Sequence, residues 1–305
     1  MKHSPFPAWL TNPYLLLTLT ALSWSGNMVI GRAIRSDVPP IALAFWRWII
    51  VLTLLLPLAL PHLRTQWKLL LHNWRAVIAL GILGIGGYNT FAYLALQHTT
   101  ATNASLLNSF IPIATITFAF LLLGKRLHRI EAIGVIVSLA GVITIVSHGE
   151  LAILLGLHLN RGDLWMLLAI TVWGLYTVGL HWRPQGVAPA LLLAALTVVG
   201  ILVLAPAYAW EISSGHTISL TSTAILGILY TGIFPGFIGY LFYNAGVAAV
   251  GPSRSALFIH LMPVFSTILA AIFLDERPEW YHGVGILLVF SGIAFTMQSS
   301  NRPAS

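Results

Sequence analysis

Long apolar runs alternate with short polar segments along the whole chain, and this pattern predicts membrane-spanning helices. A helix that crosses the hydrocarbon core of a bilayer needs about 20 mostly apolar residues. The runs that meet this requirement cover residues 13–32, 41–60, 75–97, 101–123, 131–147, 164–182, 187–209, 222–248, 253–274 and 280–298. Because the connections between them are short, we predict an all-α polytopic membrane protein of ten transmembrane helices that acts within the lipid bilayer.

Composition favours the same class of protein. The 305 residues are 58% hydrophobic and only 8% charged, whereas a soluble domain carries about 25% charged residues. The net charge of +7 raises the possibility of nucleic-acid binding. The basic residues, however, stand singly or in small groups between apolar runs and form no single patch. The chain has no cysteine, which excludes disulfides and thiol catalysis.

The distribution of lysine and arginine predicts the orientation in the membrane. With a cytoplasmic N-terminus, the inner segments carry Lys2, Arg64, Lys68, Arg75, Lys125, Arg126, Arg129, Arg183, Arg254 and Arg302, and the outer loops carry Arg32, Arg35, Arg161 and Arg277. Cytoplasmic loops of membrane proteins hold an excess of these residues. We therefore predict that both termini are cytoplasmic.

The second half of the chain repeats the first half at a nearly constant displacement. Residues 151 positions apart, or 149 near the start of each half, carry the same amino acid at several places. The pairs are Pro112 and Pro263, Gly134 and Gly285, Gly141 and Gly292, Gly81 and Gly232, Trp24 and Trp173, and Pro40 and Pro189. Such self-similarity is the signature of a repeated structural unit.

Five helices per half is an odd number, so the second copy must enter the membrane from the opposite side. The charges agree, because the basic turn Gly124-Lys125-Arg126 aligns with the acidic turn Asp275-Glu276-Arg277 on the other predicted side. We predict two inverted five-helix repeats, residues 1–148 and 149–305, a layout typical of secondary transporters.

Several segments resemble the drug/metabolite transporter superfamily, and specifically its EamA-type members. They are Tyr93-Leu94-Ala95-Leu96, Thr99-Thr100-Ala101, Ala104-Ser105-Leu106-Leu107, Pro112, Leu121-Leu122-Leu123-Gly124-Lys125-Arg126-Leu127, Gly134 and Gly141, with Ala256-Leu257, Pro263, Leu274-Asp275-Glu276-Arg277 and Gly285 in the second half. The resemblance implies a ten-helix exporter of metabolites such as amino acids in the bacterial inner membrane. Its cavity would be lined by helices 1, 3, 4, 6, 8 and 9. The usual Gly-Glu after the fourth helix is Gly124-Lys125 here.

Polar and aromatic residues at membrane depth mark either a transport pathway or hydrogen bonds between helices. Asn89 and Tyr93 lie one turn apart, and Tyr240 and Asn244 occupy the positions 151 residues later. The predicted substrate-binding residues are Trp24, Asn27, Tyr88, Asn89, Tyr93, Asn108, Trp173, Tyr176, Tyr240, Asn244 and His260. The alternative is a structural role, with interhelical hydrogen bonds for the amides and interface anchoring for the aromatic residues.

Two basic residues within helices have open roles. Arg47 stands about 10 Å inside the second helix at 1.5 Å per residue, and we expect its head group to snorkel outward, with a substrate-facing role as the alternative. His260 in the ninth helix can titrate near neutral pH. It is either a neutral, hydrogen-bonded histidine or a proton-coupling and substrate-binding group.

The positions of the acidic residues disfavour one class of transporter. The acids Asp37, Glu131, Glu150, Asp163, Glu211, Asp275, Glu276 and Glu279 all fall at helix ends or in loops. Carriers that exchange cationic drugs for protons generally need a buried carboxylate, so this pattern disfavours them.

Gly134 and Gly141, like Gly285 and Gly292, form small-residue faces that suit helix packing or a homodimer contact.

Enzyme activity is disfavoured by the motifs. The sequence has no His-Glu-x-x-His zinc motif, and Ser253 with His260 seven residues later is a poor arrangement for an intramembrane hydrolase. It also lacks an ATP-binding Gly-x-x-x-x-Gly-Lys-Ser/Thr loop.

We predict a secondary transporter of small polar metabolites, with amino acids first, that works by alternating access without a cofactor or metal. Export of ring-bearing drugs or nucleosides is the alternative, and a non-transporting scaffold is a more distant one.

Overall fold

The computed structural model describes residues 12–155, 160–273 and 279–298, and these residues form a bundle of helices. The helices are α1 (Pro13–Ser25 and Asn27–Ala33), α2 (Pro40–His72), α3 (Trp74–Leu80, Gly81–Gly87 and Tyr88–His98), α4 (Ala101–Asn108 and Ile111–Leu123), α5 (Arg129–Val146), α6 (Arg161–Gly179 and Leu180–Trp182), α7 (Pro189–Ser213), α8 (Ser222–Thr231, Gly232–Ile238 and Gly239–Val250), α9 (Pro252–Leu257, Phe258–His260 and Leu261–Phe273) and α10 (Trp280–Gln298). A short helix, Leu151–Leu155, follows α5.

The predicted all-α membrane fold is confirmed within these residues. Nine helical stretches are long and apolar enough to cross a membrane. The remaining one, α9, is helical without a gap from Pro252 to Phe273, though its hydrogen-bonding pattern changes at 258–260. The acidic turn Asp275-Glu276-Arg277, which indicated the inversion of the second half, lies outside the described residues.

The helix boundaries differ most from the prediction at the C-terminal ends of α2 and α7. These helices continue beyond their apolar runs to His72 and Ser213. The reason is visible in the antiparallel α2–α7 pair, where a polar side chain near the end of each helix caps the start of the other helix. Gln66 Oε1 accepts the backbone N–H of Ala188 at 2.7 Å, and the carboxylate of Glu211 accepts two backbone N–H groups at the start of α2.

The inverted repeat appears in the irregular turns of the helices. The π-helical turns Gly81–Gly87 of α3 and Gly232–Ile238 of α8 start and end 151 residues apart. The interruption of α4 at residues 109–110 also overlaps the counterpart of the 3₁₀ turn Phe258–His260 of α9, which falls at residues 107–109. Because π turns are rare, their recurrence at the same displacement shows that both halves fold on one plan.

The two halves are interleaved. In this bundle α1 packs on α8 and α9, and α6 packs on α3 and α4. Two outer pairs complete the structure, α2 with α7 and α5 with α10. Each of these contacts joins one half to the other. When every helix is replaced by its counterpart in the other half, the same set of contacts results. A pseudo-two-fold axis therefore runs between α1, α3, α4, α6, α8 and α9.

The glycine faces of α5 and α10 meet within the chain. A Cβ atom on Gly134 would lie 2.5 Å from the carbonyl oxygen of Gly292, and one on Gly141 would lie 2.7 Å from that of Gly285. These residues therefore bring two backbones into direct contact, as small residues do at membrane helix interfaces. Of the two roles predicted for these faces, the structure shows packing within the chain.

Contacts at the helix ends also join the two halves. Arg254 Nη2 and Glu131 Oε1 form a salt bridge of 3.0 Å between α9 and α5, the one ion pair within the described residues. At the other end of the bundle, Asp37 Oδ2 accepts the hydroxyl of Thr221 at 2.8 Å. Five tryptophans near helix ends are exposed, as residues of an interfacial aromatic belt are, namely Trp67, Trp74, Trp182, Trp210 and Trp280.

The close contact of α5 and α10 leads to a prediction about stability. Gly141→Ala would place a methyl group against backbone atoms of Gly285 and Val289, and such overpacking costs about 1–3 kcal/mol. The midpoint of thermal unfolding of the purified protein should fall. The control is Gly283→Ala, because a Cβ atom there meets nothing within 4 Å, and it should leave the midpoint unchanged or raised. Equal effects of both substitutions would contradict the assigned contact.

Candidate functional site

A small cavity lies where the two halves meet at the centre of the bundle. Its volume is about 20 Å³, which is room for about one water molecule. Its lining consists of Trp24, Asn27, Arg47, Tyr88, Asn89, Trp173, Pro235, Tyr240 and Met262. Six of these are predicted site residues, and they come from α1, α3, α6 and α8. The cavity thus combines aromatic surfaces with amides and one guanidinium group.

The aromatic wall is built on two repeat-related tryptophans. Trp24 and Trp173 meet edge to face, with ring centroids 5.1 Å apart. Tyr243 lies 5.1 Å from Trp24 and 5.2 Å from Trp173, and Tyr88 lies 4.8 Å from Trp173. Trp24 is 8% exposed and Trp173 is 1% exposed. This burial rules out interface anchoring as their role.

Large and small residues alternate between the halves around this wall. Tyr88 of α3 corresponds to Gly239 of α8, whereas Ala92 of α3 corresponds to Tyr243 of α8, at the 151-residue displacement. A Cβ atom on Gly239 would collide with the indole of Trp24. Each half therefore contributes one tyrosine ring to the wall, Tyr88 from the first half and Tyr243 from the second. Their positions in the repeat differ by one helical turn.

Carbonyl groups of the two π-helical turns hold the wall in place. The Tyr240 hydroxyl donates to the carbonyl oxygen of Gly84 at 2.7 Å, and Trp24 Nε1 donates to that of Pro235 at 2.9 Å. Gly84 and Pro235 occupy matching positions of the repeat. Both bonds cross from one half to the other, so the wide turns serve as anchoring points for the cavity wall.

Arg47 is the centre of the polar part of the cavity. Its Nη1 atom donates to Asn89 Oδ1, to the Tyr93 hydroxyl at 2.8 Å and, more weakly, to Asn27 Oδ1 at 3.5 Å. Asn89 Nδ2 in turn donates to the Tyr240 hydroxyl at 3.0 Å. Side chains of α1, α2, α3 and α8 are thereby joined in one network.

The expectation that Arg47 snorkels outward is wrong. The side chain is 1% exposed, and its guanidinium group points into the bundle, 5.1 Å from the ring centroid of Trp48. Three oxygen acceptors on α1 and α3 attract it inward. Outward snorkelling would forfeit these charge-assisted hydrogen bonds, which are stronger than neutral ones.

Four predicted site residues stand behind the lining and fix it. Tyr93 donates to Asn27 Oδ1 at 3.0 Å, and its repeat counterpart Asn244 accepts the Tyr176 hydroxyl at 2.7 Å. Because Tyr176 is the counterpart of Asn27, the same bond occurs twice with donor and acceptor exchanged. Asn108 Oδ1 accepts the Tyr88 hydroxyl at 2.8 Å. These residues position the side chains that touch the cavity.

The structure places His260 outside the cavity lining. Its Nδ1 atom lies 2.8 Å from Ser138 Oγ, and its Nε2 atom lies 2.9 Å from the carbonyl oxygen of Ser109. Since a carbonyl oxygen only accepts, Nε2 carries a proton. Both ring nitrogens are engaged in this way, and neither activates Ser253. A role for His260 in proton coupling remains a prediction.

Sequence reasoning missed three members of the wall. Pro235, Met262 and Tyr243 were not among the predicted residues. Met262 and Tyr243 lie close in sequence to the predicted residues His260 and Asn244, and Pro235 lies in the π-helical turn of α8. The signal that could have found Tyr243 is its pairing with Ala92 beside that of Tyr88 with Gly239. Within the described residues, no cluster of His, Cys, Asp or Glu is placed to hold a metal ion.

The fold and the cavity together define a multi-pass membrane protein of two inverted repeats around a central polar and aromatic site. The sequence model of the EamA-like transporter family matches residues 11–147 and again residues 160–298. The chain belongs to the EamA-like transporter family, which confirms the resemblance found in its sequence.

Individual relatives are similar over their full length. An uncharacterized transporter of Archaeoglobus fulgidus is 26% identical over 95% of this chain and 98% of its own. The uncharacterized transporter YyaM of Bacillus subtilis is 25% identical, with coverage of 96% and 93%. A chain of known crystal structure with 21% identity superposes with a TM-score of 0.77 over 96% of this chain and 98% of its own, and it supports the fold alone.

The two exchanged Tyr–Asn pairs lead to a prediction. Tyr93→Phe removes a hydroxyl that accepts from the charged Arg47, and hydrogen bonds to charged groups are worth about 1.5–3 kcal/mol. Tyr176→Phe removes a bond between neutral groups, worth about 0.5–1.5 kcal/mol. We therefore expect Tyr93→Phe to lower the unfolding free energy more in detergent.

The control for this comparison is Tyr14→Phe. The Tyr14 ring stacks on Phe258, and its hydroxyl makes no hydrogen bond within the described residues. This variant should unfold like the wild type. Losses of the same size in Tyr93→Phe and Tyr176→Phe would mean that the charge of Arg47 is not stabilised through Tyr93.

Proposed function

We propose that the protein is a secondary transporter that exports amino acids or related small polar metabolites across the bacterial inner membrane by alternating access. The observation that carries this proposal is the cavity at the pseudo-two-fold axis, lined by Trp24, Asn89, Trp173 and Tyr240 from both halves. Transporters with inverted repeats bind their cargo at such a repeat interface near the membrane midplane.

The closed state of the cavity supports alternating access. At about 20 Å³ it has room for about one water molecule, so binding of a larger molecule requires the aromatic rings to move apart. The hydrogen bonds of Trp24 to Pro235 and of Tyr240 to Gly84 span the two halves. A motion of one half against the other would open the wall without unfolding either half, because packed interfaces switch between discrete arrangements.

The chemistry of the lining favours an amino acid. Amides and a guanidinium group can bind the polar end of such a molecule by hydrogen bonds. The faces of Trp and Tyr rings hold apolar side chains and attract an ammonium group. The described residues that line the cavity include no carboxylate, and Arg47 repels cations, so the site is poorly suited to cationic drugs. Neutral ring-bearing compounds such as nucleosides are the second candidate, favoured by the aromatic wall itself.

Energy for transport would come from a gradient, with both termini on the cytoplasmic side. The excess of Lys and Arg in the predicted inner segments supports this orientation. His260, buried between α4, α5 and α9, is the group we propose for a proton if the gradient is one of pH. In this arrangement the proton site would be separate from the cargo site.

The two central tryptophans provide a test of the site. If both wall one cavity, Trp24→Ala and Trp173→Ala should each reduce uptake by roughly ten-fold, the effect of losing about 1.4 kcal/mol of aromatic contact. The matched control is Trp210→Ala, because Trp210 is 67% exposed at the end of α7. Normal transport in both central variants would remove the site assignment.

The cargo is tested by uptake into proteoliposomes. Labelled amino acids of each chemical class are offered with and without an imposed pH gradient. We expect saturable uptake of one class, competed by the same unlabelled compound. Stimulation by the gradient, lost in His260→Gln, would support proton coupling. Absence of uptake for every amino acid, together with uptake of a nucleoside, would replace the first candidate by the second.

A further inference from the structure

Arg47 carries a buried positive charge that no acidic residue in the described part of the chain neutralises. The side chain is 1% exposed, and the ion pair within the described residues joins Arg254 to Glu131 instead. The partners of Arg47 are two amide oxygens and a phenol. These groups offer dipoles and no net negative charge.

The other buried carboxylates are held by groups of their own. Glu211, on the helix that packs against α2, accepts the backbone N–H groups of Ile41 and Ala42. Asp163 accepts hydrogen bonds from Thr99 Oγ1, Asn103 Nδ2 and the backbone N–H of Asn160. Neither carboxylate forms a salt bridge with Arg47.

One edge of the guanidinium group is also left without a partner. All of the hydrogen bonds described above leave from Nη1, whereas the buried Nε atom has no hydrogen-bond partner within the described residues. Buried polar groups are nearly always hydrogen-bonded, and an exception in a native structure calls for an explanation. Nε belongs to the side-on edge of the guanidinium group. Two N–H groups along such an edge can bind a carboxylate through two parallel hydrogen bonds.

Such a charge is costly in a membrane. Removing the partner of a buried ion leaves a destabilising uncompensated charge, and ionisable residues at membrane depth are costly unless they pair or face an aqueous pathway. Arg47 borders the cavity. A bound anion that reached Nε from this cavity would supply both the missing charge and the missing hydrogen-bond partner.

We propose that Arg47 binds the carboxylate group of the cargo, so that the transported compounds are amino acids or other small organic acids with a free carboxylate. This inference rests on the proposed transport function. In an amino acid bound in this way, the ammonium group or side chain faces Trp24, Trp173 and Tyr240. Compounds that have the ring or the ammonium group without the carboxylate would lack their main anchor.

The asymmetry of the two halves supports the assignment. The position that corresponds to Arg47 at the 149-residue displacement is Leu196, an apolar residue that is fully buried. The scaffold therefore has the same backbone plan on both sides of the cavity but a single cation. A charge needed only to stabilise the bundle would be expected on both sides, whereas a polar cargo needs one end recognised differently from the other.

The test compares three probes that share a phenyl ring on a two-carbon chain, and it uses the full-length protein. L-Phenylalanine carries a carboxylate and an ammonium group, 3-phenylpropionate only the carboxylate, and phenethylamine only the ammonium group. The set is repeated with L-alanine, propionate and ethylamine to allow for a small pocket. We expect the carboxylates to raise the thermal unfolding midpoint by several degrees, because ligands that bind the native state stabilise it. The amines should leave the midpoint unchanged.

Substitutions connect this response to Arg47. Arg47→Gln should weaken carboxylate binding by at least ten-fold, whereas the control Arg75→Gln, at an exposed arginine, should respond like the wild type. Asn89→Asp keeps the shape of Asn89 and places a carboxylate next to Arg47 Nη1, at the loss of the hydrogen bond that Asn89 Nδ2 donates to the Tyr240 hydroxyl. The new ion pair should offset this loss, so the midpoint without ligand should not fall, and the variant should abolish the further increase with carboxylates. A purely structural role of Arg47 does not predict this second effect, and the variant is informative even if Arg47→Gln fails to fold.

The outcomes separate this inference from the proposed function. Uptake of amino acids that continues with an unchanged KM in Arg47→Gln, or equal stabilisation by amines and carboxylates, would overturn the role of Arg47 and leave transport intact. Stabilisation by carboxylates that depends on Arg47, without uptake of any amino acid, would support the binding group and contradict amino-acid transport. Absence of both responses would overturn both.

Discussion

The hydrogen bonds of one guanidinium group, buried in the middle of a membrane protein, are the interactions on which the arrangement of the central helices depends. Lipid offers no hydrogen-bonding partner, so a polar group at this depth depends on the protein or a ligand for its partners. Arg47 on α2 is reached by Asn27 from α1 and by Asn89 and Tyr93 from α3. Asn89 then passes the network on to Tyr240 of α8. The hydrogen bonds that this one cation makes therefore also fix the mutual positions of four helices and the shape of the cavity that they enclose.

The pseudo-two-fold axis explains why so many repeat-related residues touch each other. A residue on the axis necessarily lies beside its own copy, and the contacts of Trp24 with Trp173, of Asn89 with Tyr240 and of Ser109 with His260 all follow this rule. Only the first of these pairs has identical partners. In the second contact an amide donates to a hydroxyl, and in the third the imidazole Nε2 donates to the backbone carbonyl oxygen of Ser109. Two of the three contacts at the axis therefore join residues that differ between the halves.

The sequence predicted the fold in outline and the site in part. Ten apolar runs and the displacement of 151 residues were sufficient for the helices and the repeat, because a bilayer imposes strict lengths on its spans. Trp24, Asn89, Trp173 and Tyr240 could be selected because the repeat brings them together. The direction of Arg47 could not, since hydropathy does not distinguish a side chain that points to the membrane surface from one held by oxygens on neighbouring helices. His260 was selected for its chemistry, but its position between α4, α5 and α9 depends on packing that no single-sequence pattern reveals. The C-terminal ends of α2 and α7 were missed because both helices continue past their apolar runs and bring Gln66 and Glu211 to the start of the partner helix.

The paired π-helical turns have a mechanical consequence. A π turn contains one residue more than an α-helical turn of the same rise, and each residue of an α-helix advances the side chains by about 100°. If the surplus residue of Gly81–Gly87 were absorbed into regular helix, the segment that begins at Tyr88 would rotate by about that angle relative to Trp74–Leu80. Tyr88 and Asn89 would then leave the wall and other faces of α3 would replace them. Matching turns in α3 and α8 give the carrier two equivalent joints at which a helix can change the face that it presents while its ends keep their places in the bilayer.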